Sequence, residues 1–157
     1  MSMKAWVRRA GLLAILVLPA GPAAAAADYG LVVDVTLSPK AQAELRRRNE
    51  AITVLAVYYG DPVPSKMYLN TPEGGIGIGT EWVTIPGRSG RAVVTGRKVE
   101  RDHVGWVKSI DVLINVVSAR RSDKNNLLDC AFFEGPLAQA QRKPIPISCR
   151  LIDGDQP

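Results

Sequence analysis

Residues 51–59 read AITVLAVYY, and this stretch decides the fold that the sequence predicts. Ile52, Val54 and Ala56 fall on one side of an extended chain, and the residues between them are almost as apolar. A strand that is apolar on both faces is typical of the centre of a sheet. Gly60-Asp61-Pro62 then supplies turn residues. The sequence therefore predicts a central β-strand.

The segment before this strand predicts a strand followed by a short helix. Residues 31–37, LVVDVTL, alternate apolar and polar side chains, as a half-buried strand does. Ser38 and Pro39 are a favoured pair for the N-cap and the first position of a helix. We expect the helix over 39–48. The triplet Arg46–Arg48 fits the C-terminal end of that helix, and we favour this over an anion-binding patch.

The remaining chain predicts further short strands separated by turn residues. They cover residues 76–85, 91–95, 109–118, 127–133 and 145–152, after a long Pro/Gly-rich loop over 61–75. We expect 91–95 to pair back on 76–85 as a hairpin. Strict alternation places Trp82 on the same face as Ile76 and Ile78, and Phe132 on the same face as Leu128 and Cys130.

These elements predict an all-β fold of one domain over residues 28–157. Strands do not alternate with long helices, which excludes a parallel α/β sheet. We expect an antiparallel two-layer sandwich, immunoglobulin-like or transthyretin-like, with one short helix.

Residues 1–27 have the layout of a cleaved signal peptide. Lys4, Arg8 and Arg9 precede the uncharged run over residues 10–18, and prolines and alanines follow. The apolar run is too short to cross a bilayer. We therefore expect a periplasmic or secreted bacterial protein with no stable membrane insertion after cleavage.

The leader also changes the charge balance. The whole chain has 20 basic and 15 acidic residues and a formal net charge of +5. Three of the basic residues and none of the acidic ones precede Asp28, which leaves 17 basic against 15 acidic residues. This near balance, together with export, argues against a nucleic-acid partner.

The two cysteines predict a disulfide. Cys130 and Cys149 each lie on the apolar face of a predicted strand, and exported proteins form disulfides. The pair lacks the C-x-x-C spacing of a redox motif.

The sequence contains no recognisable catalytic, metal or cofactor motif. The glycine run at 74–79 lacks the Gly-Lys-Ser/Thr end of a phosphate loop. One histidine, His103, and two cysteines leave too few ligands for a His/Cys metal site. We expect no catalytic residue, no metal and no cofactor.

Four aromatic residues are candidates for a binding face: Tyr58, Tyr59, Tyr68 and Trp82. Tyrosine and tryptophan anchor interfaces, but they also fill cores, and for Trp82 and Trp106 we favour the core.

Three functions remain open. The first is a non-enzymatic binding module for an unknown protein or cell-envelope component. The second is an exported inhibitor of a hydrolase of the protease or lysozyme type, using the loop 61–75. The third is an envelope-acting enzyme with a loop-built site around His103.

Overall fold

The computed structural model describes residues 28–72, 74–152 and 154, so the predicted signal peptide lies outside the described residues. The described residues form eight β-strands, two α-helices and two 3-10 helices. The strands are β1 (Leu31–Leu37), β2 (Ala51–Gly60), β3 (Ile76–Pro86), β4 (Gly90–Val94), β5 (Asp111–Ser118), β6 (Leu128–Cys130), β7 (Phe133–Pro136) and β8 (Ile145–Leu151). The α-helices are α1 (Pro39–Arg47) and α2 (Leu137–Ala140), and the 3-10 helices are Pro64–Leu69 and Arg101–Trp106.

The strands of this part of the chain form two four-stranded sheets. The first sheet has the order β4-β1-β8-β6 and the second sheet has the order β3-β2-β5-β7. Neighbouring strands are antiparallel, except that β1 and β8 are parallel. The inner faces of both sheets contribute to one hydrophobic core, in which Val33, Val54 and Ile114 are fully buried. The prediction of a mostly β, sandwich-like fold is confirmed.

Strand β2 lies between β3 and β5, as its apolar faces predict. Ile52, Val54, Ala56 and Tyr58 point into the core and are inaccessible to solvent. The residues that lie between these four in the sequence are only half-buried and lie on the outer side of the sheet.

The predicted hairpin between residues 76–85 and 91–95 is wrong. β4 pairs with β1 in the first sheet, with Val33 opposite Ala92, whereas β3 belongs to the second sheet. The chain therefore crosses between the sheets at residues 87–89. The Ser89 hydroxyl accepts a hydrogen bond from the Leu37 N–H at 2.9 Å and holds the turn against the end of β1. Alternation predicts that a strand forms, but it does not identify the strand's partner.

The predicted single strand over residues 127–133 is also wrong. β6 ends at Cys130 in the first sheet and β7 begins at Phe133 in the second sheet. Because the chain crosses between sheets here, the alternation stops at Cys130. Phe132 is consequently 65% exposed and does not share the buried face of Leu128.

Helix α1 begins at Pro39 as predicted and ends at Arg47, one residue before the predicted end. The Ser38 hydroxyl accepts the Ala41 N–H at 3.1 Å, and Pro39 occupies the first turn. Ala41 and Leu45 are fully buried, and arginines occupy the last turn. The helix thus covers one end of the sandwich core.

Besides α1, the described residues contain α2 and two 3-10 helices, one of which, Pro64–Leu69, lies within the expected loop 61–75. The described residues contain no helix that is both long enough and apolar enough to span a bilayer.

Candidate functional site

The outer faces of the two sheets differ in chemistry. On the first sheet, the guanidinium of Arg91 donates to Asp34 at 2.7 Å, and that of Arg150 donates to Asp129 at 2.9 Å. Both are cross-strand pairs, the usual way in which a solvated sheet face is made polar. The outer face of the second sheet is instead apolar at its centre.

We call this apolar surface the Trp82 face. Its members are the outward-facing apolar and aromatic residues of β2, β3 and β5: Leu55, Val57, Tyr59, Trp82, Leu113 and Val117. In the register, Leu55 lies opposite Trp82 on one side and Asn115 on the other. Trp82 is 62% exposed. An exposed aromatic residue among aliphatic neighbours is typical of the centre of an interaction surface.

The surroundings of the Trp82 face are polar but contain no cation. The outward positions around it are Thr53, Thr80, Thr84, Asp111, Asn115 and Glu134. Among the outward positions of β2, β3, β5 and β7 in the described chain, none is a lysine or an arginine. This chemistry favours a neutral or weakly basic partner surface over an acidic one.

A β-bulge turns Trp82 outward. Tyr58 lies opposite Gly79, but Tyr59 lies opposite Gly77, so β3 has one extra residue at this point. A bulge shifts the alternation by one residue. Ile78 is therefore buried before the bulge, whereas Trp82 is exposed after it. The prediction of a core position for Trp82 is wrong for this reason.

The two adjacent tyrosines of β2 have different environments. Tyr58 is inaccessible, and its hydroxyl donates to the Tyr29 carbonyl at 2.9 Å. Burial raises the pKa of Tyr58, and the charge of Glu81 adds to the rise. Tyr58 is a core residue and cannot contact a partner. Tyr59 lies on the Trp82 face.

The hydroxyl of Tyr59 donates to the Glu134 carboxylate on the outer face of the second sheet. This hydrogen bond is the main cause that raises the pKa of Tyr59 to about 12, with burial adding to it. Tyr59 is therefore a neutral hydrogen-bonding group at neutral pH, held in place at the edge of the Trp82 face.

Tyr68 lies away from the sheets, on the 3-10 helix Pro64–Leu69. We call residues 61–75, without the undescribed residue 73, the Tyr68 loop. Tyr68 and its neighbour Met67 are 76% and 55% exposed. The Asn70 side chain accepts the Gly75 N–H at 2.7 Å, and the Val63 N–H donates to the Trp106 carbonyl at 2.8 Å. The loop thus presents two apolar side chains on a hydrogen-bonded frame.

Trp106 is half-buried against the core, at the base of the Tyr68 loop. The His103 ring stacks on it with a centroid distance of 3.7 Å, and the Lys66 ammonium lies 4.6 Å from its ring centroid. His103 Nδ1 is 2.6 Å from a carboxylate oxygen of Glu100. These two contacts of His103 are thus with Trp106 of its own 3-10 helix and with Glu100, the residue that precedes that helix.

The cysteines lie opposite one another on β6 and β8. Their sulfur atoms are at disulfide bonding distance, 2.05 Å, and the Cα atoms are 4.0 Å apart. The bridge therefore links two neighbouring strands of the first sheet. Cys149 is buried and Cys130 is half-buried.

Of the four predicted binding residues, the fold brings Tyr59 and Trp82 to one face, buries Tyr58 and places Tyr68 on a separate loop. Sequence reasoning missed the aliphatic members Leu55, Val57, Leu113 and Val117. The signal that could have identified Leu55 and Val57 is the second apolar face of β2, which leaves apolar residues outside the core as well as inside it.

No group of three or more His, Cys, Asp or Glu residues in the described part of the chain is arranged to hold a metal ion. Comparison of the chain with protein-family models, with curated proteins and with solved structures finds no match.

Proposed function

We propose that this chain is an exported, non-enzymatic binding protein of the periplasm or the extracellular space. Its partner is another protein or a cell-envelope component, and the Trp82 face is the contact surface. The observation that carries the proposal is the 62% exposure of Trp82 within an aliphatic sheet face. A disulfide is compatible with an oxidising compartment.

For the fold we propose an immunoglobulin-like or transthyretin-like class, supported by the two four-stranded sheets with mainly antiparallel pairing.

Site-specific photo-crosslinking tests the contact surface. A photoreactive residue replaces Trp82 in the full chain, expressed with its own leader in its host cell. The matched control carries the same group at Val93, which is 57% exposed on the outer face of the first sheet. We expect a discrete adduct from position 82 and none from position 93. The same adducts from both positions, or none from position 82, would contradict the proposal.

A second candidate function is inhibition of a protease-type or lysozyme-type hydrolase by the Tyr68 loop. The observation that favours it is the exposure of Met67 and Tyr68 on a hydrogen-bonded loop, since rigid loops lose little entropy on binding. Assay against a panel of exported hydrolases tests it. Inhibition that is lost in Tyr68→Ala but kept in Trp82→Ala would support this function. No inhibition by micromolar wild-type protein would exclude it for the enzymes assayed.

A further inference from the structure

A cleft of about 410 Å³ lies between α1 and the turn that joins β3 to β4. We call it the α1 cleft. Its polar and charged side chains belong to Gln42, Arg46, Asn49 and Glu50 on the helix side and to Arg88 and Ser89 on the turn side. It lies at the end of the sandwich that α1 covers and is a separate feature from the Trp82 face.

The two arginines of the α1 cleft differ from their neighbours. Arg47 and Arg48 both donate to the Glu44 carboxylate, and Arg48 also donates to Asp123. By contrast, Arg46 and Arg88 have no carboxylate partner within the described residues. Two guanidinium groups, one from α1 and one from the turn, thus line one cleft without an ion-pair partner, while Glu50 contributes one negative charge to the same cleft.

The other side chains of the cleft add further donors. Gln42 Oε1 accepts the Ser89 N–H at 3.2 Å, which leaves the amide nitrogen of Gln42 as a donor. The amide nitrogen of Gln42 and the side-chain amide of Asn49 have no hydrogen-bond partner within the described part of the chain. The Ser89 hydroxyl accepts from Leu37 N–H and retains its own proton to donate.

Several acceptors at the cleft are already engaged. The carbonyls of Glu44, Leu45 and Arg46, at the end of α1, accept the N–H groups of Arg48, Glu50 and Asn49. The Glu50 carboxylate accepts hydrogen bonds from Ala51, Arg121 and Ser122. The side chains that remain available in the cleft are therefore mainly donors, and its two arginines outnumber its one glutamate.

We propose that the α1 cleft binds a phosphate group, with Arg46 and Arg88 as its two cationic ligands. Guanidinium forks match the oxygen geometry of phosphate, and two of them outweigh the single negative charge of Glu50. Gln42, Asn49 and Ser89 supply donors for the remaining phosphate oxygens. The group belongs either to a soluble phosphate or to an anionic lipid headgroup. The proposal does not depend on the function proposed for the Trp82 face.

Titration with inorganic phosphate at low ionic strength tests the site, with backbone amide resonances of residues 87–90 as the readout. The test variant is Arg46→Gln/Arg88→Gln. The matched control is Arg142→Gln/Lys143→Gln, which removes the same charge from a different cleft that also contains Asp28. We expect saturable binding that weakens at least about tenfold in the test variant, because the variant removes both charged hydrogen-bond donors of the site. The control should bind as the wild type does.

Vesicle sedimentation distinguishes the two sources of the phosphate. Phosphatidylglycerol vesicles carry the headgroup with net negative charge, and phosphatidylcholine vesicles are the neutral comparison. Binding to phosphatidylglycerol alone that depends on Arg46 and Arg88 would support the proposal with a lipid as the source. Binding of free phosphate alone would support a soluble ligand. Binding of neither probe, or equal loss in the test and control variants, would overturn the proposal.

Discussion

The carboxylate of Glu50 accepts the backbone N–H and the hydroxyl of Ser122 through a single oxygen, at 2.8 Å each. Its other oxygen accepts the N–H groups of Ala51 and Arg121 at 2.9 and 3.1 Å. Burial disfavours the ionised acid, but the four hydrogen bonds together outweigh burial and lower the pKa of Glu50 to about 2. One buried charge therefore fixes the turn after β5 to the start of β2.

This arrangement predicts a stability that depends on pH. The pKa of Glu50 in the folded chain is below its unfolded value of 4.5. The ionised carboxylate therefore contributes fully to the free energy of unfolding above pH 4.5, and this contribution declines as the pH falls toward 2. Glu50→Gln should lower the free energy of unfolding at pH 7 by at most about 3 kcal/mol. The difference from wild type should shrink below pH 4. Urea unfolding at several pH values measures both effects. A difference that is the same at pH 7 and pH 2.5 would contradict this account, and exposed Asp102→Asn is the control.

The bulge of β3 predicts that two nearby glycines tolerate alanine differently. A Cβ at Gly79 would lie 2.4 Å from the Lys98 carbonyl oxygen, and φ there is +156°. A Cβ at Gly77 would have no heavy atom within 4 Å. Gly79→Ala should destabilise the fold by about 2 kcal/mol or more, and Gly77→Ala by less than about 0.5 kcal/mol. Thermal unfolding of the two variants provides the comparison. Equal melting temperatures would show that the approach of residues 98–99 to β3 is not tight.

The exposure of Trp82 predicts a specific fluorescence pattern. Residues 28–157 contain two tryptophans, so Trp106→Phe and Trp82→Phe each leave a single reporter. Acrylamide should quench Trp82 more strongly than the half-buried Trp106. Trp82→Ala should lower the free energy of unfolding by less than about 2 kcal/mol, well below the roughly 3–5 kcal/mol of a buried tryptophan, since most of the residue is exposed. A large loss of stability would instead place Trp82 in the core.

The bridge between Cys130 and Cys149 predicts a measurable stabilisation. It closes a loop with a sequence separation of 19 residues. The loss of chain entropy in the unfolded state then corresponds to about 3 kcal/mol. The double variant Cys130→Ser/Cys149→Ser should unfold at a correspondingly lower urea concentration. Mass spectrometry of the unreduced wild type should detect no alkylated thiol, and alkylation of both cysteines would refute the bridge.

Short-range patterns in the sequence were sufficient to predict the elements whose structure depends on neighbouring residues. Ser38-Pro39 predicts where α1 begins, because capping involves residues three positions apart. The two apolar faces of β2 predict its central position. The paired cysteines on apolar strand faces predict their proximity.

Features that depend on distant residues were not predictable. β4 pairs with β1 across some sixty residues of sequence, and alternation is the same whichever partner a strand has. The extra residue at the β3 bulge is Ile78, which has no partner in the register with β2, and the glycines at 77 and 79 on either side of it do not indicate that the direction of Trp82 reverses there. The Trp82 face follows from these pairings, so only two of its members, Tyr59 and Trp82, were among the predicted residues.

The position of β8 has a consequence for the order in which the chain can fold. β8 lies between β1 and β6, so the first and last described strands are hydrogen-bonded neighbours, with Val33 opposite Ile145. During synthesis, β1 and β6 must wait for the last strand before the first sheet is continuous. Pairing over such a separation is intrinsically slow, because the loop must close before its contacts form. A chain truncated before Ile145 would retain every strand of the second sheet, yet it could not join β1 to β6.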